Sequence, residues 1–138
     1  MTDLELMQAA EAARENAYAP YSRFHVGAAL LAKDGRVFLG CNVENVSFGA
    51  TNCAERTAVF SAVAAGVREF SAIAITGGAQ DKPADFCPPC GICRQVLAEF
   101  GGKELRVLLG NSKKYESYTV ADLLPLAFEE KSLGENAK

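Results

Sequence analysis

The spacing of apolar and polar positions predicts a helix and then a β-hairpin in the first third of the chain. Residues 3–17 carry apolar side chains at helical spacing, and the proline of "AYAPYS" ends that pattern. Two apolar runs follow, "FHVGAALLA" and "VFLGCNVE", separated by "KDGR". An Asp-Gly pair between two such runs is typical of a tight hairpin turn. We therefore expect two strands joined at Asp34-Gly35.

The rest of the chain continues to alternate between helical and strand patterns. Residues 53–66 have helical spacing with many small side chains, which indicates a helix packed closely on a sheet. "FSAIAITGG" predicts a buried strand, and the proline-punctuated loop "DKPADFCPPCG" precedes a helical stretch, "ICRQVLAEFGG". "ELRVLLG" and "ESYTV" predict two further strands. "TVADLLPLAF" predicts a last short helix with Thr119 as its N-cap.

This order of elements, α-β-β-α-β-α-β-β-α, predicts an α/β protein. We expect a three-layer α/β/α sandwich, with a mixed sheet of about five strands and helices on both faces. A chain of 138 residues fits one domain spanning 1–138, in which 129–138 is expected to form a flexible tail. The content of 49% hydrophobic residues excludes an intrinsically disordered chain.

Charge and cysteine content narrow the class of function. The net charge of −3 does not indicate a basic surface, so we expect no nucleic-acid partner. The amino-terminal stretch lacks the pattern of a signal peptide, and no apolar run is long enough to span a membrane, so we expect a cytoplasmic protein without a membrane partner. Five cysteines in a reducing compartment indicate metal binding or catalysis and argue against disulfide bonds.

Two cysteine-containing helix starts carry the candidate chemistry. Cys90 and Cys93 form a Cys-x-x-Cys at the first turn of a predicted helix, which turns both sulfurs to the same side. Cys53 opens the other helix and would supply a third sulfur. Three sulfurs around a tetrahedral zinc ion leave the fourth position open to water, as in catalytic zinc sites.

The two residues at 55 and 56 have plausible tasks beside such an ion. If Glu55 faces the metal cavity, it can take a proton from water and hand it to a substrate nitrogen. Alternatively, Glu55 is an exposed first-turn acid favoured by the helix dipole. Three thiolates on a dication leave a net charge of −1, which Arg56 could offset by hydrogen bonding to a ligand sulfur. Arg56 could equally lie on the surface.

The motifs resemble those of the short, homotetrameric cytidine deaminases. "CAERTA" and "PPCGICRQ" match that family, and "AYAPYSRFHVGAALLAKDG", "GCNVEN" and "LLPLAF" extend the match over nearly the whole chain. The resemblance implies the cytidine deaminase-like fold, one Zn2+ per chain on Cys53, Cys90 and Cys93, and Glu55 as the proton shuttle. It implies hydrolytic deamination of cytidine and deoxycytidine to uridine and deoxyuridine plus ammonia, in pyrimidine salvage.

The resemblance also implies the remaining site residues and the assembly. The family pattern places Asn42 and Glu44 on a ribose hydroxyl and Phe24 beside the pyrimidine, with Ala54 among the substrate-binding residues. It places Arg56 and Gln95 around the thiolates. It implies a homotetramer with shared active sites, in which Phe128 reaches a neighbouring subunit. Position 48 is Phe where relatives often have Tyr.

Several alternatives stay open at this point. Cys87 would make a closed four-sulfur structural site if it joined the other three, although the intervening prolines favour an extended backbone that carries it away. Cys90 and Cys93 could be a thiol-redox pair, and the closest enzymatic alternative is a deaminase of a nucleoside antibiotic such as blasticidin S. We expect Cys41 to pack in the core, and we assign no role to His25.

Overall fold

The structure is a computed structural model that describes residues 1–134. The helices and strands are α1 (Asp3–Arg14), β1 (Phe24–Ala32), β2 (Val37–Cys41), α2 (Ala54–Ala64), β3 (Phe70–Ala79), α3 (Gly91–Gly101), β4 (Arg106–Gly110), β5 (Tyr115–Thr119) and α4 (Val120–Leu123). Two short 3-10 helices cover Phe48–Ala50 and Glu130–Leu133. Within residues 1–134, no helix combines the length and the apolar character needed to cross a membrane.

The strands form one mixed sheet in the order β2-β1-β3-β4-β5. The pairs β1–β2, β1–β3 and β4–β5 are antiparallel, and β3–β4 is parallel. A parallel pair needs a crossover connection, which α3 provides between β3 and β4. The predicted mixed sheet of about five strands and the α/β class are confirmed.

The hairpin between β1 and β2 turns where the sequence predicts it. Gly35 has φ of +96°, a conformation that costs glycine little, and the amide of Ala32 donates to the carbonyl of Arg36 at 2.8 Å. The side chain of Asp34 accepts from the backbone N–H of Arg36 at 3.0 Å. The Asp34-Gly35 turn is therefore confirmed.

Helices cover both faces of the sheet. Neighbouring residues of each strand point to opposite sides, so each central strand contributes apolar side chains to both faces. One core packs α2 and α3 against alternate positions of the central strands, including Leu30, Ile75 and Leu109. The other packs α1 against the intervening positions, including Ala29 and Leu108. These two cores make the three layers.

The structure describes residues 129–134 of the predicted flexible tail, whose flexibility stays a prediction. Thr119 and Asp122 form a reciprocal capping box that begins α4, as the Thr119 cap predicts. Beyond it, Glu129 pairs with Lys103 at 3.1 Å and precedes the 3-10 turn at Glu130–Leu133. The remainder of the predicted tail, residues 135–138, lies outside the described residues.

Gly40 allows the start of α2 to lie directly on β2. A Cβ atom at position 40 would press on the carbonyl oxygen of Ala54 and lie 2.5 Å from the amide nitrogen of Ala58. Both contacts are with helix backbone, which cannot rotate away. The absence of a side chain at Gly40 therefore sets the depth at which α2 begins, and with it the position of Cys53.

We predict that Gly40→Ala lowers the free energy of unfolding by about 1–3 kcal/mol, because overpacking forces the helix off the sheet. The matched control is Gly49→Ala, since a Cβ atom there has nothing within 4 Å and the backbone needs no positive φ. Urea titrations of the two variants measure the difference. Equal stability of the two variants would contradict the close packing of α2 on β2.

Candidate active site

The order of the strands brings the two cysteine-containing segments to one edge of the sheet. β2 and β3 both run antiparallel to β1, which lies between them, so their carboxyl ends share the edge at which β1 begins. α2 follows β2 and α3 follows β3, and both pack in the same core. Cys53 is the N-cap of α2 and Cys90 the N-cap of α3. The amino termini of the two helices therefore meet.

The three sulfurs expected to bind metal converge at this meeting point. The sulfur atoms of Cys53, Cys90 and Cys93 all lie within 4.8 Å of one another, and those of Cys53 and Cys90 are 3.9 Å apart. Two sulfurs bound tetrahedrally at about 2.3 Å from one ion are separated by about 3.8 Å. The trio therefore fits a zinc ion.

Exposure differs across the trio. Cys93 is buried, Cys53 is half-buried and Cys90 is exposed, so the cluster has a closed side and a side open to solvent. A hydrogen bond with the thiol of Cys93 lowers the pKa of Cys53 to about 5, although burial acts in the opposite direction. The same hydrogen bond, together with burial, raises the pKa of Cys93. The two thiols therefore titrate as a pair, and ionisation of one opposes ionisation of the other.

Arg56 faces the sulfurs, as one of the two readings of the sequence predicts. Its Nη2 atom donates to the sulfur of Cys53 at 3.3 Å. The Nε–H of the same guanidinium is buried and has no acceptor within residues 1–134. A partly buried cation with a spare buried donor suits a cluster of negatively charged sulfurs better than a cluster of neutral thiols.

Glu55 is buried beside the same cluster and is not an exposed first-turn acid. Its residue is 4% exposed, at the second position of α2. Burial raises the pKa of Glu55 to about 7, and the charge on Cys53 acts in the same direction. A carboxyl group with this pKa can both accept and release a proton near neutral pH.

Cys87 and Cys41 lie apart from the cluster. The side chain of Cys87 lies over Gly77 and is partly buried against the core that α2 and α3 share. Burial raises the pKa of Cys87 to about 12, which keeps the thiol neutral. Among residues 1–134, the group able to hold a metal contains three cysteines and not Cys87, so the closed four-sulfur site loses its support.

Asn42 uses part of its amide to extend the sheet. It is buried, its Oδ1 accepts from the amide of Val26 at 2.9 Å, and its Nδ2 donates to the carbonyl of Phe24 at 2.8 Å. One N–H of the amide and one lone pair remain for a ligand. Asn42 therefore orders the start of β1, and its expected contact with a ribose hydroxyl stays a prediction.

Glu44 is held by the turn that precedes β1. Its Oε1 atom accepts from the backbone amides of Tyr21 at 2.9 Å and Ser22 at 3.1 Å, and the hydroxyl of Ser22 donates to Oε2. The Ser22 hydroxyl contributes most to lowering the pKa of Glu44, and the two backbone donors add to it. The side chain is thus an ionised acceptor of fixed orientation.

The segment with Asn42 and Glu44 is tied directly to the cysteine cluster. Val43 pairs with Asn52 through two backbone hydrogen bonds of 2.9 Å, and Asn52 immediately precedes Cys53. A cleft of about 400 Å³ opens beside Glu44, lined by Tyr21, Ser22, Glu44, Phe48 and Thr51. At its rim, the rings of Tyr21 and Phe48 meet edge to face at 5.7 Å between their centroids.

The other expected site residues are more dispersed. Phe24 begins β1 at the same sheet edge and is partly exposed, whereas Ala54 is fully buried at the start of α2 and shows no surface to a substrate. The amide of Gln95 donates to the carbonyl of Phe128 at 2.9 Å, so this donor holds the carboxyl-terminal segment. The ring of Phe128 is 59% exposed. The expected roles of these four residues stay predictions.

Two arginines support the site, and the sequence analysis missed both. Arg14 is 9% exposed and donates to the carbonyls of His25, Gly78, Ala79 and Lys82, which joins β1, β3 and the following loop. Arg94 donates to the carbonyls of Pro89 at 2.8 Å and Leu123 at 2.7 Å, next to the ligand segment. The position of Arg94 directly after the Cys-x-x-Cys was an available signal. For Arg14 there was none, since a cation in the last helical turn is ordinary.

The chain is similar in sequence to known deaminases. Residues 1–109 match the family model described as the cytidine and deoxycytidylate deaminase zinc-binding region. The chain is 49% identical over 135 residues to a cytidine deaminase of Sporosarcina psychrophila, covering 97% of this chain and 96% of that one. It is 50% identical over 131 residues to a cytidine deaminase of Halalkalibacterium halodurans, covering 94% and 96%.

A solved structure and a more distant relative define the limits of the similarity. The crystal structure of a cytidine deaminase from Burkholderia pseudomallei superposes with a TM-score of 0.85 at 54% identity, covering 93% of this chain and all of that one. A blasticidin-S deaminase of Bacillus cereus is 29% identical over 130 residues, covering 91% of each chain. Similarity to the cytidine deaminases is therefore considerably higher.

We predict that Cys87→Ser retains one metal ion per chain, whereas Cys90→Ser loses most of its metal. The physical reason is that Cys87 packs against the core, outside the group of three sulfurs, whereas Cys90 belongs to that group. Elemental analysis of the purified proteins, after dialysis against a weak chelator, gives the stoichiometry. Loss of zinc from Cys87→Ser would restore the four-sulfur alternative.

Proposed function

Because the chain belongs to the cytidine and deoxycytidylate deaminase family, we propose that it hydrolyses the C4 amino group of cytidine and deoxycytidine. The products are uridine or deoxyuridine and ammonia. The enzyme depends on zinc, as the zinc-binding family and the position of the three cysteines indicate. The observation that carries the proposal is the convergence of three sulfurs from two helix starts beside the buried carboxyl group of Glu55.

Cys53, Cys90 and Cys93 hold the zinc ion. When bound, the ion acidifies a water molecule and so supplies the nucleophile for hydrolysis. The exposed position of Cys90 leaves one side of the cluster accessible to water and substrate.

Glu55 moves the protons that the reaction requires. Addition of oxygen at C4 is easier when the ring nitrogen N3 is protonated, and the amino group leaves as ammonia only after it gains a proton. A single carboxyl group can take the two protons of one water molecule in succession and deliver the first to N3 and the second to the amino nitrogen. Its pKa of about 7 suits both directions of transfer at neutral pH.

Arg56 balances the charge of the cluster. Three thiolates and one dication carry a net charge of −1, which opposes the acidification of bound water. The hydrogen bond from Arg56 to Cys53 withdraws electron density from the sulfur, and the amino termini of α2 and α3 add partial positive charge. Gln95 lies two residues after Cys93 in α3, and its amide donates to the carbonyl of Phe128. We assign it to the surroundings of the thiolates on that basis.

The substrate binds across the edge of the sheet. We assign Glu44 and the free part of the Asn42 amide to ribose hydroxyls, and Phe24 to the face of the pyrimidine. Supporting this arrangement, Phe24 begins β1 and Asn42 follows β2 at the same edge, and the cleft lies next to Glu44. An ionised carboxylate is a strong acceptor for a hydroxyl group.

The alternative functions have less support. Deamination of blasticidin S corresponds to a relative that is only 29% identical, whereas the cytidine deaminases reach about 50%. A closed structural zinc site would need a fourth sulfur, and Cys87 lies outside the cluster. A thiol-redox pair would leave Cys53, Glu55 and Arg56 without a task beside Cys90 and Cys93.

We place this reaction in pyrimidine salvage in the cytoplasm, carried out by a homotetramer with shared active sites. The five free cysteines, three of which must stay reduced to bind metal, support a reducing compartment. Large apolar side chains are exposed around the site, among them Phe48, Leu126 and Phe128, and such patches typically mark interfaces between chains.

We predict that Glu55→Gln retains one zinc ion per chain and loses turnover by roughly 10²–10⁴-fold, because the amide cannot shuttle a proton. The loss of absorbance on conversion of cytidine to uridine measures the rate, and elemental analysis measures the zinc. Glu99→Gln, at an exposed position of α3, is the matched control and should keep its activity. Full activity of Glu55→Gln would remove the proton-transfer assignment.

We predict a particle of about four times the chain mass of 14.7 kDa, measured by light scattering after gel filtration. Mixed tetramers of Glu55→Gln and Phe128→Ala chains should recover activity that neither variant shows alone. The reason is that one chain supplies the proton shuttle and its neighbour supplies the aromatic ring. A monomeric mass, or no recovery on mixing, would contradict shared active sites.

A further inference from the structure

The hydroxyl group of Ser22 lies between two residues assigned to substrate binding. It donates a hydrogen bond to Oε2 of Glu44 and accepts one from the backbone amide of Phe24 at 3.0 Å. Glu44 is assigned to the ribose, and Phe24 to the pyrimidine. One hydroxyl therefore connects the side chain that contacts the sugar with the strand that carries the ring beside the base.

The turn around Ser22 depends on these bonds. Arg23 has φ of +58°, the left-handed conformation that a non-glycine residue adopts only when its surroundings hold it there. The amide of Arg23 donates to the carbonyl of Ala19 at 2.9 Å, and its carbonyl accepts from Gln80 at 2.8 Å. The bond between the Ser22 hydroxyl and Phe24 spans the strained residue and fixes where β1 begins.

The pattern of donors leaves one oxygen of Glu44 for a ligand. Oε1 accepts from two backbone amides, which occupies both of its lone pairs. Within residues 1–134, Oε2 accepts a hydrogen bond only from the Ser22 hydroxyl, so one of its lone pairs remains. The cleft beside Glu44 is lined by Tyr21, Ser22, Phe48 and Thr51. A hydroxyl group in this cleft would bond to the same oxygen that Ser22 orients.

We propose that Ser22 is a positioning residue for ribose recognition, which acts by orienting Oε2 of Glu44 toward a sugar hydroxyl and by fixing Phe24 at the start of β1. This inference rests on the proposed function. It adds a residue that need not touch the substrate and has no task in the chemistry at C4. The Ser22 hydroxyl bonds to both the Glu44 side chain and the Phe24 backbone, so it couples recognition of the sugar to recognition of the base.

The expected effect is specific for the sugar. Without the Ser22 hydroxyl, Glu44 keeps its two backbone donors and remains in place, but Oε2 loses its fixed direction. A hydrogen bond to an ionised carboxylate is stronger than one between neutral groups, so its loss frees Oε2 to turn. We expect KM for cytidine to rise about tenfold in Ser22→Ala while kcat stays within about twofold of the unmodified enzyme.

The experiment compares Ser22→Ala, Ser22→Thr and Glu44→Ala on cytidine, 2′-deoxycytidine and 3′-deoxycytidine. The Glu44→Ala series identifies which hydroxyl Glu44 binds, because the analogue without that hydroxyl is the least affected. On this same analogue the KM penalty of Ser22→Ala should shrink to the part caused by the lost bond to Phe24, and Ser22→Thr should restore KM for cytidine. Ser117→Ala, at an exposed position of β5, is the matched control.

Two outcomes would overturn the proposal. The first is an unchanged KM of Ser22→Ala for cytidine, and the second is an equal penalty on all three nucleosides, which indicates a general structural role. Should Ser22→Ala fail to fold, Ser22→Cys is tested in its place, since a thiol has nearly the same shape and is a weak donor. Failure of the proposed function is distinct, because the unmodified enzyme would then not deaminate cytidine at all.

Discussion

The convergence of two helix amino termini on one point is the constraint on which the rest of the structure depends. It follows from the strand order, in which β2 and β3 flank β1 and run in the same direction, so that the segments after them leave the sheet at one edge. α2 and α3 then pack on the same face and begin side by side. Three sulfurs, each anchored to a helix start, reach bonding distance of one ion without any long flexible connection.

The electrostatics of this point are balanced by groups that the fold buries there. Negative charge on the sulfurs is offset by Arg56 and by the two helix dipoles. Burial, together with the same negative charge, raises the pKa of Glu55 to about 7. A carboxylate at the same position on the surface would be fully ionised and a poor donor of protons. Burial therefore converts an ordinary helix-start acid into a group that can transfer protons in both directions.

The substrate side is built from backbone geometry as much as from side chains. The segment 42–44 extends β2 past its last regular pair and is tied to Asn52, one residue before Cys53. Buried Arg14 bonds to the carbonyl of His25 on the neighbouring strand β1. The segments on both sides of the cleft are therefore attached to the same edge of the sheet. Gly40 contributes by allowing α2 to lie directly on β2. Small shifts in any of these contacts would move the segment 42–44 relative to the metal-binding cysteines.

The sequence by itself determined the local elements and the residue types of the site. Apolar spacing, the Asp34-Gly35 turn and the Thr119 cap depend on neighbours within a few positions, and the motif around Cys53, Cys90 and Cys93 brought a resemblance that the family model and the relatives confirm. Only the tertiary structure decided that Cys87 packs against the core and that the side-chain amide of Asn42 bonds to the backbone of β1. It also showed Arg14 buried among carbonyl groups and Ser22 holding Glu44. These features depend on contacts between residues far apart along the chain, where side-chain direction follows from strand order and helix depth and no local pattern records it.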